Sequence, residues 1–514
     1  MTEKGIAPRH MRDSEPLAQP DAPTVRGQAQ TGPAALAFVI VFFVMALVPL
    51  VCMPFVREDV SAEKRELAPV PSLMTENGPN LNVLSEAGDY FADHFAFRGT
   101  LVDLDATLKQ RLLMTSSTSN VVVGSSGWLY YAGTLNDYQR RNHMTDHELL
   151  NIATNLALMQ EYVTAQGKGF AVAIAPNKNS LYPEHMPYYE IEGEGERNLE
   201  RLLPLLAAKG VRACDLEATI AERDDVLYYE RDSHWNGAGA LLAYRTIAPL
   251  LSTPVPTFED AEQSVAAHVG DVDAMLHPQT AQPEDDPHWA AADAWSFANE
   301  ATSVEDDKIL TTSTMPGAAG SLVMYRDSFG NNLLPYFATA YAQATFSKLV
   351  PYDMSRPAIA SANDVVVERA ERHVDLFATN PPYLPSPERA PMPEGEARQG
   401  GTSVRVSTNG PYLVVEGTID EACAAAEDGV FVELTGVDGS TRVVEAFHVS
   451  EESAGTQDFE GDGGAEGEPV IRGDWGYRAF AIMGEQGASG FAQVRVLVGG
   501  AQGAHEIARV AVSS

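Results

Sequence analysis

Between residues 145 and 341 the chain alternates short apolar runs with helical stripes, and that alternation narrows its possible folds more than any other feature. Thr145 and Glu148 are spaced as a capping box; Leu149, Ile152, Leu156, Met159 and Val163 then form one helical stripe that stops at Gly167 and Gly169. Phe170 to Ala175 reads as a strand, Leu199 to Ala208 as a helix, and Val211 to Cys214 and Val226 to Tyr229 as strands. A helix from Gly239 to about Leu250, a strand from Ser321 to Tyr325 and a helix beginning at Asn332 complete the series. Strands separated by helices imply a parallel sheet covered on both faces. Ligands bind such sheets in the crevice beyond the carboxyl ends of the strands.

Three polar motifs are expected at strand ends: PNKN at 176–179, RDSHWN at 231–236 and YRDSFG at 325–330. The last two supply an aspartate, a histidine and a serine. A serine hydroxyl is a weak nucleophile until a neighbouring base takes its proton, and the base works best when a carboxylate fixes its tautomer. Asp232 and His234 are two residues apart, so an extended backbone points both to one side. Plainer readings stay open: Ser328 as the N-cap of the helix that follows it, and Asp232 with His234 as a surface pair or part of a metal site. Cys52, Cys214 and Cys423 show neither a disulfide framework nor metal-ligand spacing.

Ala34 to Phe55 contains no charged residue, and 22 residues at a helical rise cover roughly 33 Å, enough to cross a bilayer core. The long polar stretch before it and the lack of an A-x-A-like site favour an uncleaved anchor over a signal peptide, and Val51 before Cys52 argues against a lipoprotein. Lys4, Arg9, Arg12 and Arg26 precede the span, while Arg57, Lys64 and Arg65 follow it. The favoured topology is a cytoplasmic polar tail (1–33), an anchor (34–55) and a large extracytoplasmic portion. The net charge of −36 excludes nucleic acid as a partner held by the overall field.

The α/β region is expected to span 56–379. Within it, 252–307 reads as an insertion or lid near the site, because no Lys or Arg occurs from Thr246 to Asp307. Its acidity is read as solvated surface ahead of a cation site. Residues 380–402 read as a Pro- and Gly-rich linker, and 403–514 as an all-β sandwich of short strands separated by turns.

Six segments occur in one order: EKRELAPVPS from Glu63, DYFADHFAFRG from Asp89, VVVGSSGWLYY from Val121, APNKNSLYPEHMP from Ala175, YYERDSHWNGAGA from Tyr228 and YRDSFGNNLLP from Tyr325. Together they resemble the DHHW family of SGNH-hydrolase-like proteins, which includes the alginate O-acetyltransferases, over a little more than half of the chain. The resemblance implies an SGNH-like α/β/α domain, circularly permuted because the serine motif follows the Asp/His motif. It also implies a membrane-tethered or exported enzyme that moves acetyl groups onto hydroxyls of a polysaccharide.

By the same resemblance Ser328 is the nucleophile, His234 the general base and acid, and Asp232 the carboxylate that orients His234. Ser233 stands where the family name has a second histidine, so any role of that histidine is lost. Asn177 is a candidate oxyanion donor beside the Ser328 N–H, or else a turn residue after Pro176. Lys178, Tyr182 and Arg326 are expected to line the cleft, and Trp235 either to stack on a sugar or to pack in the core. No metal or organic cofactor is expected beyond an acetyl donor. A polysaccharide is the implied acceptor, with a multi-pass membrane acyltransferase as the implied donor partner. An acetylesterase of the same fold and a non-catalytic glycan-binding or assembly protein are the competing readings; the second leans on the C-terminal β region, which resembles carbohydrate-binding sandwiches in outline.

Overall fold

The computed structural model of the chain describes residues 32–53, 55–56, 68–75, 78–259, 261–395, 400–450, 473–500 and 503–512. Residues 1–31 of the expected polar tail (1–33) and much of the lead-in that follows the anchor (62–67) lie outside those residues. Two compact units separate, one formed by residues 1–58 with 67–98 and the other by 59–66 with 99–514.

The first unit contains the helix Pro33–Cys52, the one described helix long and apolar enough to cross a membrane. Its side chains are apolar all round, which leaves no polar face for water. A short pair, Met74–Thr75 with Gly78–Pro79, and the helix Val83–His94 follow.

The second unit is built on a seven-stranded sheet. In chain order its strands are β1 (Gly169–Ala175), β2 (Ala213–Cys214), β3 (Trp295–Phe297), β4 (Lys308–Ser313), β5 (Ser321–Tyr325), β6 (Gln343–Ser347) and β7 (Asp364–Ala370). The spatial order is β2-β1-β7-β5-β6-β4-β3. The first five of these pair in parallel, and β4 and β3 add as antiparallel strands. Successive residues of a strand face opposite sides, and here they enter two different cores. Ala171, Ala173, Leu322 and Met324 pack with the helices Gly237–Ile247 and Gly330–Ala340. Phe170, Val172, Val323 and Tyr325 pack with the helices Asp146–Thr164 and Asn198–Ala208. Burial on both faces explains why these strands are almost wholly apolar.

Two expectations are corrected. Val226 to Tyr229 is not a strand, since only a single bridge, Tyr228 to Trp235, forms there. Leu227, Tyr228 and Tyr229 are nevertheless buried, so the apolar run packs as a loop; a run of four apolar residues does not separate the two outcomes. The 252–307 insertion is also more regular than expected. It contains an antiparallel hairpin, Gln263–Val269 with Pro283–Trp289, a helix Asp271–Leu276 between its arms, and β3 itself.

The C-terminal region is β-rich. A five-stranded sheet (including Gly429–Gly436 and Phe491–Gly500) and a four-stranded sheet (including Tyr412–Thr418 and Gly476–Ile482) contribute to one core. Leu413, Val415, Tyr477 and Ala479 of one sheet meet Val432, Leu434, Val494 and Val496 of the other. Tyr412, Val414, Phe447 and Phe480 join instead the core formed by the helix Asp146–Thr164.

Candidate active site

The turn after β5 presents Ser328, and buried carboxylates set its shape. Asp327 accepts from the Phe329 N–H (2.9 Å) and the Ala370 N–H (2.8 Å), while Glu368 accepts from the Asp327 N–H (3.0 Å). Both Glu368 and Ala370 lie on β7, so the neighbouring strand holds the turn. Burial works to raise the Asp327 carboxyl, yet His373, Arg369 and Arg372 hold it well below the usual carboxylate range. Burial and the adjacent Asp327 charge push Glu368 the other way. The following helix starts at Gly330 with Phe329 at its N-cap position and without a side-chain cap. Ser328 therefore does not cap that helix, and its hydroxyl is directed elsewhere.

That hydroxyl meets His234, with Ser328 Oγ 2.8 Å from His234 Nε2. His234 Nδ1 lies 2.7 Å from Asp232 Oδ1. A carboxylate only accepts, so Nδ1 carries the proton and Nε2 is left as an acceptor for the serine hydroxyl. The His234 side chain keeps 15% exposure, open enough to exchange protons with a bound molecule. Its ring rests tilted on Phe329, with centroids 4.7 Å apart.

The RDSHWN loop is fixed from three sides. Lys178 Nζ donates to the carbonyls of Leu129 (2.6 Å), Glu230 (2.7 Å) and Asp232 (3.0 Å). Asn236 Oδ1 accepts from the Ala238 and Gly239 N–H groups and caps the helix Gly237–Ile247. Trp235 Nε1 donates to the Phe329 carbonyl (3.1 Å) and Asn332 Nδ2 to the Trp235 carbonyl (2.8 Å), which fastens this loop to the serine turn.

The acidic hairpin supplies the rest. Asp232 Oδ2 accepts from His268 Nε2 (2.8 Å) and the Asp271 N–H (2.9 Å), while Oδ1 also accepts from the His234 N–H (2.9 Å). Asp271 in turn takes both the N–H and the hydroxyl of Ser233, each at 2.8 Å. Burial works to raise the Asp232 carboxyl, but His234 and His268 together hold it well below the usual range. Burial works to lower His234, and the Asp232 charge and hydrogen bond, helped by Asp271, leave it above the ordinary histidine value. The close docking needs Gly270, where an added Cβ would meet the Arg231 carbonyl at 2.2 Å.

A cleft of about 220 Å³ opens over this arrangement, lined by Tyr229, Asp232, His234, His268, Glu305 and Ser328 among others. The other sequence-predicted site residues do not line it. Asn177 is buried and turns its amide N–H to Asp137 (2.9 Å), while its backbone N–H goes to Glu371 (2.8 Å). Lys178 is a buried staple, and desolvation draws its ammonium down to about 7. The Tyr182 hydroxyl accepts from the Leu227 N–H (2.9 Å). Arg326 has no exposed surface and spends its guanidinium on Asn331 and on the carbonyls of Val304 and Asp306. Trp235 is likewise at 0% exposure and packs in the core, so it offers no face for a sugar. Lys178, Tyr182 and Arg326, expected to line the cleft, are thus not among its lining residues, and of the two roles expected of Trp235 the structure has the packing one.

Asp232, His234 and Asp271 bring potential metal ligands within 4.8 Å of one another. Their ligand atoms are already satisfied: both oxygens of Asp232 and both of Asp271 accept protein donors, and His234 Nδ1 faces Asp232. The donor set fits a proton relay better than an ion. His268 and Asp271 were not identified from sequence. They enter 36 and 39 residues after Asp232, His268 from the exposed first arm of the hairpin and Asp271 from the start of the helix between its arms.

Residues 121–317 match a family described as the SGNH hydrolase-like domain of the acetyltransferase AlgX. A probable alginate O-acetylase AlgJ of Pseudomonas syringae pv. tomato is 26% identical over 208 residues, covering 37% of this chain and 49% of that protein. The chain thus spans about half the length of the curated relative it matches. Among solved structures, a DHHW family protein from Eubacterium siraeum overlaps 50% of this chain and 93% of its own, at 14% identity and a TM-score of 0.37. The O-acetyltransferase domain of Pseudomonas putida AlgJ overlaps 50% and 92%, at 15% identity and a TM-score of 0.32.

Proposed function

We propose, from the premise that the chain carries an SGNH-hydrolase-like domain resembling the alginate O-acetyltransferases, that it is a membrane-anchored polysaccharide O-acetyltransferase working through an acyl-serine. The observation that carries the proposal is the unbroken relay from Asp232 through His234 to the Ser328 hydroxyl, opening into a cleft beyond the end of β5.

The chemistry runs in two halves. Ser328 Oγ attacks the donor's acetyl carbonyl as its proton passes to His234 Nε2. Asp232 stabilises the imidazolium that forms, and His234 then gives the proton to the departing donor group. In the second half a sugar hydroxyl loses its proton to His234 Nε2 and attacks the acyl-serine. The new ester leaves and Ser328 recovers the proton. The Ser328 N–H is the proposed backbone donor to the oxyanion in both halves. An acetyl donor is required; the polymer supplies the acceptor hydroxyl, and a multi-pass membrane acyltransferase is the proposed source of acetyl groups.

Strand order supports a circularly permuted SGNH-like sheet. Counting from the serine strand as β5, β6, β7, β1, β2, the spatial arrangement β6-β5-β7-β1-β2 is the doubly wound order 2-1-3-4-5. The serine then follows the first strand of that count and the Asp/His loop comes after the last, as a triad assembled by geometry permits. The helix Pro33–Cys52 supports a single-pass anchor, with residues 56–379 as the catalytic domain, 380–402 as a linker, and 403–514 as a β-sandwich outside the membrane.

The test uses the full chain in detergent with an activated acetyl ester, with and without oligosaccharides, followed by mass spectrometry of protein and sugar. An acetyl adduct is expected on the wild type and not on Ser328→Ala. Acetylated sugar selects the transferase, and free acetate in its place selects an esterase. Glycan binding with no adduct and no turnover would sink the enzymatic reading.

A further inference from the structure

The relay contains a second histidine that the acyl-transfer chemistry does not use. His268 comes from the first arm of the acidic hairpin and reaches Asp232 on the oxygen opposite to His234. Its ring lies on Tyr229 with centroids 4.0 Å apart and planes 19° from parallel, so its direction is fixed by packing as well as by the hydrogen bond. The loop has no spare side chain for the task, because both donors of Ser233 go to Asp271.

A carboxylate bonded through one oxygen can still rotate about its last torsion, which is broad and roughly two-fold. Bonded through both, it cannot rotate without breaking charge-assisted contacts on each side. The two donors on Oδ2, the His268 side chain and the Asp271 N–H, of which His268 is the one a substitution removes, therefore keep Oδ1 on His234 Nδ1, and Nδ1–H on Oδ1 keeps His234 Nε2 on Ser328.

We propose that His268 is a positioning residue of the acyl-transfer site, holding the Asp232 carboxylate so that His234 stays aimed at Ser328. The proposal rests on the reading of Ser328 as nucleophile. The titratable groups that face His268 are Asp232, Tyr229, Asp286 and Glu284. Either protonation state of His268 can donate from Nε2, so the clamp survives a change of pH. Protonation instead adds a positive charge that competes with His234 for Asp232 and makes His234 a weaker base.

The experiment measures labelling of Ser328 by a fluorophosphonate, on the full chain, as a function of pH, with intact mass as the readout. His268→Ala is expected to lower the maximal labelling rate about tenfold, the usual worth of one hydrogen bond to a charged group. His268→Gln places an uncharged N–H donor against the same oxygen. It is expected to keep the rate within about threefold of the wild type and to move the histidine inflection to higher pH. A wild-type rate and inflection in His268→Ala would overturn the proposal. So would a His268→Gln variant that loses as much rate as His268→Ala alongside an equal fall in melting temperature, since that pattern marks simple packing. A wild type that is never labelled at Ser328 removes the nucleophile itself, and with it both readings; labelling of the wild type that is indifferent to His268 removes this one alone.

Discussion

Asp232 accepts four hydrogen bonds, two on each oxygen, and this saturation decides how its neighbours ionise. A carboxylate surrounded by donors is held ionised, and its charge in turn raises His234. Nucleophile activation needs neutral His234, so reactivity rises as pH climbs through the histidine pKa. Because that pKa is raised, the acid limb of the Ser328 labelling profile is expected to lie above the ordinary histidine value of 6.5, a position read directly from the inflection. Asp232→Asn removes the charge and turns an amide NH₂ toward groups that are themselves donors. His234 then loses its fixed tautomer, and labelling is expected to fall by about 10³ to 10⁴; a loss under tenfold would contradict the relay. At this scale Asp232, His234 and Ser328 were legible in sequence because each sits in a short motif and chemistry asks for those three side-chain types. His268 was not, because nothing local ties a histidine in an exposed strand to an aspartate 36 residues earlier.

Individual elements were legible wherever a local rule governed them. The Thr145 hydroxyl accepts from the Glu148 N–H (3.0 Å), and the helix begins at Asp146 as the capping box requires. β5 begins at Ser321 and ends at Tyr325, as its run of apolar residues indicates. Failure came where a tertiary partner replaced the rule, and Lys178 is the clearest case. A lysine after Pro176-Asn177 looks like a solvent-facing or substrate-facing cation, yet it is buried beneath Trp128 and Tyr130, 5.0 Å from each ring centroid. There it joins the strand Leu129–Tyr131, the loop at Glu230 and the backbone of Asp232. Three carbonyl acceptors around one ammonium explain why burial of a lysine is tolerated, although the Glu230 carbonyl also accepts from the Leu129 N–H (2.9 Å). Lys178→Met keeps the apolar stem and removes all three bonds, so the destabilisation is expected to be about 3 kcal/mol or more. Chemical denaturation checks the magnitude. Ser328 labelling should fall in the same variant even below the melting transition, since the Asp232 backbone loses its anchor.

At the scale of the molecule, the chain's second compact unit carries a junction that composition did not reveal. The C-terminal strands announce themselves by alternation and turn residues, but the Pro-rich stretch before them looks like a simple spacer. In the structure Leu384 in that stretch is buried and Glu388–Arg389 pairs with Val443–Val444. The junction is polar as well as apolar: Asn155, inside the helix Asp146–Thr164, donates to the carbonyls of Phe377 (3.0 Å) and His448 (2.8 Å) and accepts from the His448 N–H (2.9 Å). A shared core and shared backbone bonds imply that the α/β and β-rich regions unfold together, and a single calorimetric transition is the expected result. His448 gives that coupling a pH signature. Burial, with His147 and Lys209 nearby, draws its imidazole down to about 3, so it is neutral in the folded protein at every physiological pH. The unfolded chain binds a proton there below about 6.5, whereas the folded chain does not, so stability falls as pH drops from about 6.5 toward 3. One proton corresponds to a slope of about 1.4 kcal/mol per pH unit in that window. His448→Phe keeps an aromatic ring in the core and removes the titration. Its unfolding free energy, measured at several pH values between 4 and 6.5, is therefore expected to be flatter than that of the wild type by about that slope. Parallel pH dependences for the two proteins would show that His448 is already protonated in the fold and that the junction opens to water.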